Sequence, residues 1–170
     1  NRNYKQLLRD GKYDEAEAAF TALGNYADAE EQAKENVPYA KAAYVMDCAE
    51  KDDVAGLLLL GLKRSDVAEG ETVSVALYRE AEKLFAALGD YRDSKQQCEK
   101  AHRAVEDYFD AQKKDAYDAA GALLEDGHYC EARDAFIAMG SYKDSAEMAQ
   151  ECMYRRAELL YGVIDKYFMA

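Results

Sequence analysis

The sequence predicts an all-α fold, an α-α superhelix of irregular helix-turn-helix repeats, and three observations predict it. Ala, Glu, Lys and Leu abound while only one Pro, Pro38, occurs in 170 residues, the composition that helix-rich chains use. Few β-branched residues occur outside Val67 to Val75, and no stretch alternates at period two as a half-buried strand would. Above all, one pattern recurs three times at constant internal offsets, which is the signature of a repeat architecture.

The pattern is Phe20-Thr-Ala-Leu-Gly24-Asn-Tyr26-Ala-Asp28-Ala29. It returns as Phe85-Ala-Ala-Leu-Gly89-Asp-Tyr91-Arg-Asp93-Ser94 and as Phe136-Ile-Ala-Met-Gly140-Ser-Tyr142-Lys-Asp144-Ser145. Upstream, Gly11-Lys-Tyr13-Asp-Glu-Ala16 matches Gly127-His-Tyr129-Cys-Glu-Ala132, and the middle copy keeps Tyr78-Arg-Glu-Ala81. Tyr13, Ala16, Phe20 and Leu23 fall on one face of a short helix, as do Tyr78, Ala81, Phe85 and Leu88, and Tyr129, Ala132, Phe136 and Met139. The small Ala admits a neighbouring backbone and the Phe fills the space between helices. Gly24, Gly89 and Gly140 then end each short helix by supplying a positive φ.

After the Gly comes Asn25, Asp90 or Ser141, all good N-cap residues, and three positions later an Asp for the first turn of the next helix. The favoured register starts the next helix there and packs Tyr26, Tyr91 and Tyr142 inside it. A second register caps at Asp28, Asp93 and Asp144, with Glu31, Gln96 and Glu147 closing a capping box. Either turn is short enough to force antiparallel or steeply crossed neighbours.

The whole chain, 1–170, reads as a single helical-repeat domain: repeat 1 over about 4–40, an insertion over about 41–76, repeat 2 over about 77–110, repeat 3 over about 116–157, and the end of a C-terminal helix over 158–170. The insertion accounts for the uneven spacing of the copies. Within it, Ala42 to Leu62 reads as helix and Lys63 to Thr72 as a loop, with Ser65, Asp66 and Gly70 as breakers. The long helix after Asp93 runs to about Tyr117, with a break expected near Asp115. Tyr142 to Phe168 reads as a last helix able to cap the array, with Tyr154, Ala157, Leu160, Tyr161, Ile164 and Phe168 as its apolar stripe.

Gly127-His-Tyr129-Cys-Glu-Ala132-Arg-Asp-Ala-Phe136 resembles the second half of a tetratricopeptide repeat, in which a Gly-x-Tyr turn leads into a helix bearing a small Ala and then an aromatic four residues on. Ala16 with Phe20, Ala81 with Phe85 and Ala132 with Phe136 carry the likeness, over about ten residues per copy. The resemblance implies a right-handed superhelix of helix pairs whose concave face binds peptides or extended protein segments. The chain departs from that family at its closing Pro and in its period of about 34 residues. It departs also in its first-helix pattern, for which the third copy offers Ala116, Ala119, Ala120 and Leu123. The fuller pattern, Gly-x-Tyr-x-Glu-Ala-x3-Phe-x2-Leu-Gly-x-Tyr-x-Asp-Ser, is similar to tandem repeats in uncharacterised bacterial proteins, particularly Gram-positive ones.

With 34 acidic against 22 basic side chains the net charge is −12, which repels phosphate backbones and anionic headgroups. Nucleic acid is excluded as a partner; a protein or peptide, a basic one included, is the expected one. The longest apolar run, Leu57 to Leu62, is too short to cross a bilayer, so no membrane insertion is expected of this segment. The chain has no signal peptide and does not begin with Met, which suggests a soluble piece of a larger bacterial protein. Cys48, Cys98, Cys130 and Cys152 are widely spaced in helical contexts and read as free core thiols. They lean towards a reducing, cytoplasmic setting.

Little chemistry stands against this. Cys98 and His102, four apart on a predicted helix, have the spacing of two zinc ligands, and His128 with Cys130 would complete a Cys2His2 set; nothing in the sequence brings the pairs together, and a buried thiol with a surface His is the plainer reading. No nucleophile–His arrangement or Gly-rich phosphate loop is present, and neither catalysis nor a cofactor is expected. Fourteen Tyr and no Trp occur. Seven fall on repeat positions (Tyr13, Tyr26, Tyr78, Tyr91, Tyr129, Tyr142, Tyr154), while Tyr39, Tyr44, Tyr108, Tyr117, Tyr161 and Tyr167 lie off the stripe and, if exposed together, would make a contact surface. The function expected is a non-catalytic protein- or peptide-binding scaffold, with a structural spacer or self-assembly module as the alternative and a metal-dependent enzyme behind both.

Overall fold

The computed structural model describes residues 2–169, and among them every regular element is helical. Where the sequence reads as one array, the packing falls into two compact units, Asn1–Asp107 and Tyr108–Ala170.

In unit 1, α1 (Arg2–Arg9) and α2 (Tyr13–Leu23) form a hairpin. The chain reverses at Gly11, φ +71°. There the Gly11 N–H donates to the Leu8 carbonyl at 3.2 Å and the Lys12 N–H to the Leu7 carbonyl at 2.8 Å, the paired bonds of a Schellman stop. Helix α2 buries Tyr13, Ala16 and Phe20. Leu23, placed on the same face by the spacing, is exposed instead, because α2 ends there.

A continuous rod follows: α3 (Ala29–Glu31), a π-helical turn (Gln32–Asn36) and α4 (Val37–Glu50). The π turn has a local cause. Pro38 lies just after it and has no N–H for the α-helical bond back to Lys34, and a widened turn takes up the mismatch. The first part of the rod places Ala29, Ala33 and Val37 against Tyr13, Ala16 and Phe20. The second part places Ala42, Val45, Met46 and Ala49 in a separate core with Leu77, Ala81 and Phe85 of α6 (Val73–Leu88).

The segment that departs from the repeat is narrower than 41–76. Residues 41–50 belong to the rod and 73–76 to α6, which leaves 51–72. The helix expected from Ala42 to Leu62 stops at Glu50 because Asp52 turns left-handed, φ +52°, and gives its N–H to Ala49 at 3.3 Å while Asp53 gives its own to Cys48 at 2.9 Å. Asp52 Oδ1 then accepts the Ser74 N–H at 2.7 Å, and Ser74 Oγ donates to the Ala49 carbonyl at 2.7 Å. The reversal is thereby tied to the start of α6. Between them sits α5 (Ala55–Leu59), pressed so closely that a Cβ on Gly56 would lie 2.8 Å from the Cys48 Cβ. Overpacking of that kind costs about 1–3 kcal/mol. The expected loop over Lys63 to Thr72 contains one 3-10 turn, Arg64–Asp66.

Helix α7 runs unbroken from Ser94 to Glu125. The break expected near Asp115 does not occur; Lys114 and Asp118 pair across that turn at 2.5 Å, the i, i+4 arrangement that supports a helix. In unit 2 the later part of α7 meets α8 (Tyr129–Ala138) and α9 (Ser145–Ile164), with a π turn at Asp165–Met169. Gly127 repeats the Gly11 stop bond for bond, to Leu124 at 3.1 Å and, through His128, to Leu123 at 2.9 Å. The core is Ala120, Leu124, Ala132, Phe136, Ala149 and Cys152. The three repeat phenylalanines, Phe20, Phe85 and Phe136, are 5%, 1% and 0% exposed. Ala16, Ala81 and Ala132 are wholly buried.

Candidate functional site

The Gly-x-Tyr-x-Asp segments fold alike. In each, the Gly N–H reaches back three residues (Gly24 to Thr21, Gly89 to Ala86, Gly140 to Ile137). The Tyr N–H does the same (Tyr26 to Leu23, Tyr91 to Leu88, Tyr142 to Met139), and the residue after the Asp bonds back to the Tyr carbonyl. Gly24 and Gly89 take φ +58° with ψ −127° and −119°, a mirror-β conformation that only glycine occupies without strain. The next-but-two residue is left-handed too, with Ala27, Arg92 and Lys143 at φ +50°, +50° and +47°. This geometry overturns the favoured register. The next helices begin at Ala29, Ser94 and Ser145, so the three tyrosines lie in the turn and not inside a helix. The second register has the helix starts right, with Asp28 and Asp144 at the N-caps, but its capping box does not form there, since neither Asp makes a side-chain cap bond. Asp28 instead accepts from Gln32 at 3.0 Å and Asp93 from Gln97 at 2.8 Å, one residue beyond the box position.

In two copies the turn is gripped by an aromatic from the preceding long helix. Tyr39 lies edge-on to Phe85 and to Tyr91, with centroids 5.9 and 5.8 Å apart, and its hydroxyl donates to Asp93 Oδ1 at 2.5 Å. Tyr117 does the same to Phe136 and Tyr142, at 5.5 and 6.0 Å, with its hydroxyl on Asp144 Oδ1 at 2.5 Å. A cation from the left-handed residue completes each cluster. Arg92 lies 5.0 Å from the Tyr39 centroid and Lys143 4.6 Å from that of Tyr117, within the range of a cation–π contact. The hydrogen bond to Asp93 raises the Tyr39 phenol above its ordinary value and lowers the Asp93 carboxyl; Asp144 raises Tyr117 likewise. Asn36 adds a further hold in unit 1, accepting from the Tyr91 hydroxyl and, at 2.9 Å, from Arg92. Among the described residues Tyr26 has no such partner; it is 73% exposed, with Ala27 in the cation's place.

Tyr39 and Tyr117 are thus repeat residues, not the loose aromatics they look like in sequence. They went unrecognised because each acts on a turn far along the chain. The cation directly before Asp93 and Asp144 is the only signal that the sequence holds for the cluster.

The remaining candidates are placed apart. Of the six off-stripe tyrosines, Tyr39, Tyr44, Tyr108 and Tyr117 are half-buried, and Tyr161 and Tyr167 are exposed. Cys98 and His102 both face Glu82 of α6: Cys98 Sγ donates to its carbonyl at 3.6 Å, and His102 Nδ1 lies 3.0 Å from its Oε1. Burial raises the Cys98 thiol, away from the thiolate that a metal takes. Cys98 and His102 belong to unit 1 and His128 and Cys130 to unit 2, and among the described residues no group of three or more His, Cys, Asp or Glu is placed to hold a metal ion. Ala149 and Met153 hold the same repeat positions in unit 2 as Cys98 and His102, and Arg133 that of Glu82. There they line an apolar slot of about 660 Å³ between α8 and α9, with Ile137 at its mouth.

Exposed large apolar side chains are concentrated towards the C-terminal end of the described residues. Beyond Cys152, α9 exposes Leu159, Leu160, Tyr161, Val163 and Ile164, and the π turn after it exposes Tyr167 and Phe168. Leu160 is 52%, Tyr161 71%, Ile164 50% and Phe168 80% exposed. The stripe expected to cap the array faces solvent, and Tyr154, a repeat position in sequence, is exposed beside it. No helix among the described residues is long and apolar enough to cross a membrane. Isolated apolar side chains on a surface are ordinary; here seven large ones fall within residues 159–168. The chain matches no family model, no curated protein and no solved structure.

Proposed function

We propose that the chain is a non-catalytic protein- or peptide-binding scaffold, an α-α superhelical array of tetratricopeptide-like helix pairs. One observation carries this reading: the large apolar side chains left in solvent are concentrated on α9 and the adjoining slot of α8. The mechanism is rigid display. Cores of close-packed Ala and Phe fix the helices, so little ordering entropy is lost when a partner is bound. A net charge of −12 favours a basic partner and disfavours nucleic acid. Affinity capture with the immobilised chain, run beside a Leu160→Asp, Ile164→Asp double variant, tests the reading. Protein retained by the native chain and lost from the variant is expected; equal retention by both, or none by either, sinks it.

The same surface supports a second reading, a spacer or self-assembly module that associates through an apolar end. Light scattering separates the two, since self-assembly requires a mass that rises with concentration.

A further inference from the structure

The three long helices turn the same residues inward, with one difference of spacing. In α7 these are Ser94, Cys98 and Ala101, and in α9 Ser145, Ala149 and Cys152. In the rod they are Ala29, Ala33 and Val37, so the last step is one residue longer. The longer step falls within the π turn Gln32–Asn36.

What the widened turn presents is Asn36. Its Oδ1 accepts from the Tyr91 hydroxyl and, at 2.9 Å, from Arg92 Nη2, two neighbours in the turn that joins α6 to α7. Tyr39, one helical turn further along the rod, meets the same segment through the Tyr91 ring and Asp93. In unit 2 the position three before Tyr117 is Lys114. It pairs with Asp118 of its own helix, and an ammonium group has donors only. The hold by Asn36 is therefore an addition to the repeat.

Its placement gives it a role. Ala33 and Val37, on either side of Asn36, belong to the core that α2 fills, whereas the turn it holds follows the helix that carries Ala81 and Phe85 in the other core. The two cores also meet at Tyr44 and Leu59, which pack against both. The α2 core has six buried residues, and an element with so few opens readily unless it is tied to a neighbour.

We infer that Asn36 is a latch: it binds the α2 core to the turn after α6, so that the two cores of unit 1 open as one body. The π turn is the form in which the helix admits the residue.

Hydrogen exchange of the whole chain, read over 13–23 and 77–85, tests the latch. The two segments should be protected alike in the native chain. Asn36→Ala should lower protection over 13–23 about tenfold more than over 77–85, the expected loss for two hydrogen bonds of which one comes from a cation. Tyr91→Phe keeps the ring against Tyr39 and removes one donor, so it should give a smaller loss of the same kind. The double variant should be no worse than Asn36→Ala, because both substitutions remove the same bond. Asn36 is half-buried, and both variants should keep the native circular-dichroism spectrum; if Asn36→Ala fails to fold, Tyr91→Phe carries the comparison alone. Equal losses in the two segments, no loss in either, or losses that add in the double variant overturn the inference.

Discussion

Unit 1 and unit 2 build the same hairpin from the same residues and finish it differently. In unit 1 the slot position beside α6 is occupied by polar groups, with Cys98 and His102 each in contact with Glu82. In unit 2 the equivalent slot holds Arg133, Ala149 and Met153 and stays open and apolar. The turn differs in the same sense. Asn36 secures Tyr91 and Arg92 in unit 1, while in unit 2 the turn at Tyr142 borders a cavity of about 590 Å³ lined by Phe109, Lys113 and Met139. The repeat motif therefore fixes the local fold, and the positions outside it decide whether a surface is sealed or left for contact.

The comparison breaks first on the core. Phe85→Ala and Phe136→Ala each remove a buried ring and should cost about 3–5 kcal/mol. If the units are separate bodies, Phe136→Ala strips hydrogen-exchange protection from 129–152 and spares 37–49 and 73–85, whereas Phe85→Ala does the reverse. Equal loss throughout from either variant would dissolve the distinction between the units.

A smaller effect sharpens it. Ser94 and Ser145 hold equivalent, fully buried positions, but Ser145 Oγ donates to the Tyr142 carbonyl at 2.6 Å while Ser94 Oγ has no partner among the described residues. An unsatisfied buried hydroxyl costs about 1–3 kcal/mol and a satisfied one contributes about 1 kcal/mol. Ser94→Ala should raise the melting temperature and Ser145→Ala should lower it. The first copy already has Ala29 there, 2% exposed. Shifts of the same sign would show that the two turns are not equivalent.

The smallest effect is on pH. Asp93 is lowered by the bonds from Tyr39 and Gln97, so its contribution is present above the unfolded carboxyl value near about 3.9 and fades as pH falls through the lower folded one. Tyr39 is raised, so its contribution is present below about pH 10 and fades as pH rises through the folded value. Tyr39→Phe should flatten the alkaline limb of a melting-temperature profile and weaken the acid limb through Asp93. A profile unchanged by the substitution would remove the Tyr39–Asp93 bond from the account.

Tyr13, Ala16, Phe20 and their counterparts were legible because a helix face repeats at fixed spacing and burial demands it. The tyrosine turn was misplaced because Asn25, Asp90 and Ser141 are equally good caps on paper. What moved the helix start was the left-handed Ala27, Arg92 and Lys143, a backbone state that these residue types do not advertise. The stop at Asp52 was missed for the same reason, with Asp doing the work expected of Gly. The second part of α9 was legible as an apolar stripe, but not its exposure, since periodicity records which face is apolar and not whether anything lies on it.

The π turn at Gln32–Asn36 has a consequence for how such hairpins are laid against one another. At 3.6 residues per turn, one extra residue advances everything after it by roughly a quarter of a revolution. Within the rod it separates the bearing of Ala29 and Ala33 from that of Ala42 and Val45, so one helix can serve two neighbours that lie in different directions. A single-residue insertion thus acts as a vernier, re-aiming the next hairpin without altering any residue of the motif that builds it.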